Sequence, residues 1–196
     1  MAVMTASGAT TLGLPFGRSL TVDDLETLPD DGHRYELLDG TLLVSPSPGF
    51  PHQSVQAKLH IALHNACPEH LFVMLAPFAV QFSRITELQP DILVAPLRAF
   101  TKKNLPTAPM LAVEIRSPST AMIDRTLKRA AYARVGVPHY WLVDPDPDAP
   151  SITVLDLVGE EYVEGRTARG DDVLDVIEPF PVVLRPSELV VRLPEG

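Results

Sequence analysis

Two carboxylates stand in aliphatic surroundings: Asp91 heads the run DILVA, and Glu114 interrupts the strand-like stretch MLAVEI. Burying an acid is costly unless a cation, hydrogen bonds or a metal compensates. If the two runs are consecutive antiparallel strands, the head of one meets the end of the other and the acids come together. Like charges at close range raise one another's pKa unless a cation lies between them. A divalent ion is the simplest such cation, and oxygen ligands without cysteine point to Mg²⁺ or Mn²⁺. Side chains alternate along a strand, so Glu114 and Arg116 emerge on one face. Hydrolysis at a metal requires carboxylates to hold the ion and a positive group to stabilise phosphate charge. Asp91 and Glu114 as metal ligands, with Arg116 or Lys128, supply that set. Plainer readings stay open at this point: Asp91 as a loop-to-strand junction residue, and Glu114 as an ion-pair partner of Arg116 or Lys128.

Several elements must hold these residues. LTVDDLETL, 20–28, predicts a short helix capped by Thr21, with acids in its first turn. RYELLDGTLLVS, 34–45, predicts two strands around Asp39-Gly40, a favoured hairpin turn, with Glu36 on the first. A helix over 54–66 follows from Val55, Leu59, Ala62 and Leu63, with Pro51 in its first turn. His52 near that helix start is either a ligand-facing group or an exposed histidine, and a single histidine on its own favours the second. The stretch 71–82 is one long or broken strand in which Pro77 demands a bulge or an edge. Ile92 to Ala95 has the unbroken apolar character of a strand buried on both faces.

Ser119 or Thr120 caps the next helix, and Gly136 with Pro138 stops it. On that helix Asp124, Lys128 and Tyr132 share a face, beside an apolar stripe of Ile123, Leu127 and Ala131. YWLVD, 140–144, is a further strand; 152–158 with 161–163 forms a C-terminal hairpin, and a last helical turn follows Ser187.

Composition narrows the class. The 196 residues fit one domain, 19–196, behind a loose N-terminal segment 1–18. The single cysteine, Cys67, excludes an intramolecular disulfide and suits a reducing cytoplasm. No stretch reaches the ~18 apolar residues of a membrane span. A net charge of -9 argues against a nucleic-acid partner, but the stretch 98–134 carries eight basic residues against two acids, a local +6. Charge alone favours a solvated loop and helix face there.

The spacing Pro90-Asp91 followed by Glu114-Ile115-Arg116 and a helix resembles the P-D…(D/E)-x-K signature of restriction-endonuclease-like nucleases. The wider wording, RYELLDGTLLVSPSPGFPHQ, PDILVAP, LAVEIRSPST, D-x-x-x-K-x-x-x-Y over Asp124, Lys128 and Tyr132, and GVPHYWLVDP, resembles the Uma family of bacterial restriction endonucleases from about Leu20 onward. The resemblance implies an α/β fold with a mixed sheet: a core of helix, three strands, helix and strand, with added N-terminal and C-terminal hairpins and the site at one edge. It implies Asp91 and Glu114 as metal ligands, with Glu36 and His52 approaching them. It also implies that Lys128 replaces the strand lysine from the following helix, that DNA is the substrate, and that the chain forms homodimers. Arg116 stands where the superfamily has lysine; its high pKa makes it a poor base.

The leading expectation is therefore a Mg²⁺-dependent endonuclease acting on DNA, with Asp91, Glu114, Lys128 and Arg116 catalytic and Glu36, His52, Asp124 and Tyr132 lining the site. The alternative is a catalytically degenerate nucleic-acid-binding or assembly module, realised if Arg116 pairs permanently with Glu114. A small-molecule hydrolase built on His52 lacks a nucleophile motif.

Overall fold

The structure, a computed structural model, describes residues 2–3, 12–15, 17–117, 122 and 124–194. In chain order its elements are β1 (Ala2–Val3), α1 (Val22–Leu25), β2 (Arg34–Leu38), β3 (Thr41–Ser45), α2 (Phe50–Ala66), β4 (Leu71–Leu75), β5 (Ala79–Ser83), β6 (Thr86–Leu88), β7 (Ile92–Pro96), β8 (Asn104–Leu105) and β9 (Leu111–Ile115). There follow α3 (Arg129–Arg134), β10 (His139–Asp144), β11 (Ser151–Val158), β12 (Glu161–Arg169), β13 (Leu174–Val176), β14 (Val182–Leu184) and α4 (Pro186–Leu189). A π-helical turn, Asp124–Lys128, leads into α3.

The fold is mixed α and β. One sheet has the order β12-β11-β10-β9-β7-β4, antiparallel throughout except that β10 runs parallel to β9. A parallel neighbour needs a crossover, and the π turn with α3 provides it. Helix α2, strands β4, β7 and β9, helix α3 and strand β10 thus reproduce the expected core of helix, three strands, helix and strand. Val55, Leu59 and Leu63 of α2 pack against the buried side chains Val73, Ile92, Val94, Leu111 and Val113 of that sheet.

A second sheet, β1-β3-β2-β6-β5-β8, is where the expected N-terminal hairpin lies. Asp39 and Gly40 both have positive φ, 49° and 78°, as a two-residue hairpin turn with matching twist requires. A Cβ at Gly40 would lie 2.5 Å from the Cβ of Ser19, so only glycine fits. The stretch 71–82, expected as a long or broken strand, is broken into two strands that lie in different sheets. Pro77 has no N–H to give a ladder, and the chain leaves the first sheet there after Ala76 N–H has bonded to the Asp91 carbonyl at 3.0 Å. Strand β6, unrecognised in the sequence because it is three residues long, joins the two parts of the second sheet through Leu37 opposite Glu87.

Helix α3 ends where expected: Gly136, φ 78°, donates its N–H to Ala133 at 3.0 Å. The expected caps Ser119 and Thr120, the stripe residue Ile123 and most of the N-terminal segment lie outside the described residues. Leu127 corrects the expected apolar stripe, being 48% exposed while Lys128 is 1% exposed. The wider π turn offsets the four-residue spacing, and two carboxylates hold Lys128 inward. Among the described residues no helix is long and apolar enough to cross a membrane.

Candidate active site

Strand register brings the two acids to one end of the first sheet. Ile92 pairs with Val113 in the antiparallel β7–β9 ladder, so Asp91 and Glu114 occupy the next opposing positions. The site lies at the strand ends rather than along an outer strand, since β7 and β9 both have neighbours on each side. Glu36 comes from the second sheet, His52 from the first turn of α2, and Lys128 and Tyr132 from the turn into α3 and from α3 itself. Asp91, Glu114, Glu36, His52, Lys128 and Tyr132 are all buried.

Asp91 is held at both carboxylate oxygens. Its Oδ1 accepts from Arg34 Nη1 at 2.8 Å, and its Oδ2 accepts from Ile115 N–H at 2.7 Å and meets His52 Nε2 at 3.0 Å. Gln56 Nε2 donates to the Asp91 carbonyl at 2.7 Å. Burial alone would raise the Asp91 pKa. The His52 hydrogen bond, the charges of Arg34 and His52, and the Ile115 N–H outweigh it and hold the carboxyl well below its usual range. The burial of His52 corrects its reading as an exposed histidine. Asp91 provides the buried polar partner that a lone histidine in sequence does not disclose, and His52 Nδ1 has no hydrogen-bond partner.

Glu114 and Glu36 share a cation. Lys128 Nζ lies 3.1 Å from Glu114 Oε1 and 2.9 Å from Glu36 Oε1. Tyr132 OH donates to Glu114 Oε1 at 3.0 Å, and Gln89 N–H donates to Glu36 Oε1 at 2.7 Å. Burial, and then the Glu114 and Glu36 charges, push the Tyr132 phenol well above its usual pKa, so it stays a neutral donor. Arg34 loses hydration on burial, but Glu36, Asp91 and Glu114 raise its pKa and keep it charged.

Arg34 is the residue that sequence reading missed. It precedes Glu36 by two on β2, so strand alternation puts both on one face, and that was the available signal. Arg116 does not pair with Glu114. Its Nη1 lies 2.6 Å from Asp144 Oδ2, and its side chain is 45% exposed. Of Asp124 only the backbone is described; its expected place in the site lies outside the described residues.

The basic stretch 98–134 is not one electropositive face. Lys128 is buried, Arg134 pairs with Asp39 at 2.7 Å, Lys103 pairs with Glu26, and Arg129 donates to the Tyr162 carbonyl at 2.5 Å. Two clefts reach the site. One, of 530 Å³, is lined by Arg34, His52, Gln89 and Asp91; the other, of 330 Å³, by Glu114, Arg116, Arg129, Asp144 and Arg169.

Among the described residues no three His, Cys, Asp or Glu side chains stand in a metal-ligating arrangement. The donor chemistry nonetheless fits a hard divalent cation. Three buried carboxylates, Glu36, Asp91 and Glu114, face the two fixed cations Arg34 and Lys128. Glu36 Oε2 is buried without a hydrogen-bond partner, a lone-pair site that an oxygen-seeking ion would fill.

Comparison with known proteins agrees with this arrangement at the level of family and fold. No curated protein matches the chain. A solved structure from Anabaena variabilis ATCC 29413, described as a putative nuclease belonging to DUF820, superposes with a TM-score of 0.62 at 20% identity, over 80% of this chain and 89% of that one. Residues 22–190 match the family Uma2, described as putative restriction endonuclease. With the match covering most of the chain and every buried residue of the cluster, the chain belongs to the Uma2 family.

Proposed function

We propose that the chain is a divalent-metal-dependent endonuclease that hydrolyses phosphodiester bonds in DNA, with Mg²⁺ or Mn²⁺ held by Asp91 and Glu114. The observation that carries the reading is the burial of three carboxylates in one cluster, Glu36 and Glu114 sharing Lys128 and Asp91 paired with Arg34 at the head of β7, an arrangement too costly for a purely structural core to need. When bound, the ion supplies Lewis-acid stabilisation of phosphate charge and lowers the pKa of coordinated water. Lys128 holds Glu36 and Glu114 in place and donates hydrogen bonds toward the attacking side. Tyr132 fixes the Glu114 rotamer, as His52 and Arg34 fix that of Asp91. Arg116, exposed beside Glu114 in the smaller cleft, steadies the phosphate as a permanent cation. Homodimers and a cytoplasmic location belong to the same proposal through the family.

Plasmid nicking in Mg²⁺ or Mn²⁺ tests it. Wild type converts supercoiled to open-circular DNA, while Asp91→Ala and Glu114→Ala reduce the rate by at least about a hundredfold, the scale of losing transition-state electrostatics. Equal cleavage by all three proteins removes the proposal. One observation favours the second reading, a non-catalytic nucleic-acid-binding module: Arg34 and Lys128 already neutralise most of the carboxylate charge. That reading requires no metal binding at millimolar Mn²⁺.

A further inference from the structure

The 530 Å³ cleft is larger than a phosphate and a metal ion require, and falls within the roughly 300–1,000 Å³ of sites that enclose a small organic group. Arg34 and Asp91 are among its lining residues, so whatever enters is continuous with the proposed site of phosphate chemistry. Leu25, Leu28 and Pro46 give it an apolar side. His33 and Tyr35, whose ring centroids are 6.2 Å apart at 46°, add two aromatic surfaces. Gln53 and Gln89 bring amides to the lining. Gln89 Nε2 is tied to the Tyr35 carbonyl at 3.2 Å, and its Oε1 is buried with no hydrogen-bond partner. Apolar walls, aromatic rings and an unused amide acceptor beside a cation match a nucleobase, which has a π face and a polar edge.

Resting on the nuclease reading, we infer that this cleft receives a single unpaired nucleotide of the DNA substrate, its base against His33 and Tyr35 and its phosphate toward Arg34. A paired base cannot enter, because its faces are stacked on its neighbours and its edge is engaged by its partner. The substrate class is therefore DNA that offers an unpaired nucleotide, as a single strand or a locally unpaired segment of a supercoiled duplex does. The preference arises from one base-sized compartment rather than from a basic stripe, in keeping with the acid partners of Lys103, Arg116, Lys128 and Arg134.

The test is binding of a fluorescein-labelled single strand of about a dozen nucleotides to the full wild-type chain in EDTA, read by anisotropy, with one abasic nucleotide placed at each position in turn. Losing the base at one position weakens binding about tenfold, the scale of one lost base stack, while the other positions change little. The double variant His33→Ala/Gln53→Ala, at two exposed positions, removes that positional dependence. A flat abasic scan, no binding of the strand, or a positional dependence unchanged in the double variant overturns the inference. Because no metal is present, the outcome is separable from cleavage. A flat scan with intact plasmid nicking overturns the nucleotide compartment alone, and a positional scan with no nicking overturns the nuclease reading alone.

Discussion

Lys128→Met lowers the unfolding free energy by about 3–5 kcal/mol at neutral pH, the scale of breaking a buried ion pair by removing one partner. Methionine retains most of the side-chain volume, so cavity formation contributes little and the loss reports electrostatics. Lys128 is fully buried, with Nζ 2.9 Å from Glu36 and 3.1 Å from Glu114. Without the ammonium, two buried carboxylates face each other, and Glu36 already has one oxygen without a hydrogen-bond partner. Urea denaturation by linear extrapolation measures the change. Adding Glu114→Gln to Lys128→Met restores part of the loss, because the repelling charge is gone; the two substitutions are therefore non-additive. By contrast, breaking the exposed pair between Arg134 and Asp39 costs less than about 1 kcal/mol. A loss as small as that at Lys128 would mean that the buried cluster is not held by this cation.

Asp91→Asn has a comparable effect, and its pH dependence is distinctive. The substitution removes the nearer carboxylate partner of partly buried Arg34 and the acceptor of His52 and Ile115 N–H, and costs about 3–5 kcal/mol at pH 7. Burial raises the pKa of Asp91, but His52, Arg34 and the Ile115 N–H together lower it below the ordinary value. A carboxyl depressed on folding contributes stability that is fully present above its unfolded pKa of about 3.9 and is lost as pH falls through the folded value. The wild-type advantage over Asp91→Asn is therefore level from neutral pH down to about pH 5 and shrinks below about pH 4. Paired denaturation curves across that range measure it. An advantage that grows on acidification would show that Asp91 is not ionised in the folded protein.

Much of the site was legible because it rests on short-range rules. Antiparallel pairing of the runs beginning at Asp91 and ending at Glu114 follows from their apolar character, and the register places the acids opposite each other. The Asp39-Gly40 turn and the Gly136 stop are single-residue signals with a steric cause. Long-range facts were less legible. The burial of His52 depends on where α2 docks against Asp91, and a histidine carries no mark of that in sequence. The basic stretch appeared as one block because its partners, Asp39, Glu26 and Asp144, are distant in the chain. Lys128 was read as a cation at the site, but its sharing between two sheets depends on Glu36 of the hairpin, which is brought near only by the second sheet. The π turn that rotates Leu127 outward leaves no pattern distinct from an α-helix over five residues.

The central claim is that the acids at the ends of β7 and β9 form a divalent-metal site. Anomalous diffraction at the manganese edge, from crystals soaked in millimolar Mn²⁺, tests it most directly. The account predicts an anomalous peak in contact with both Asp91 and Glu114, absent from crystals of Glu114→Gln soaked in the same way. An ordered site with Lys128 still bridging Glu36 and Glu114, and no peak between the two acids, would contradict it.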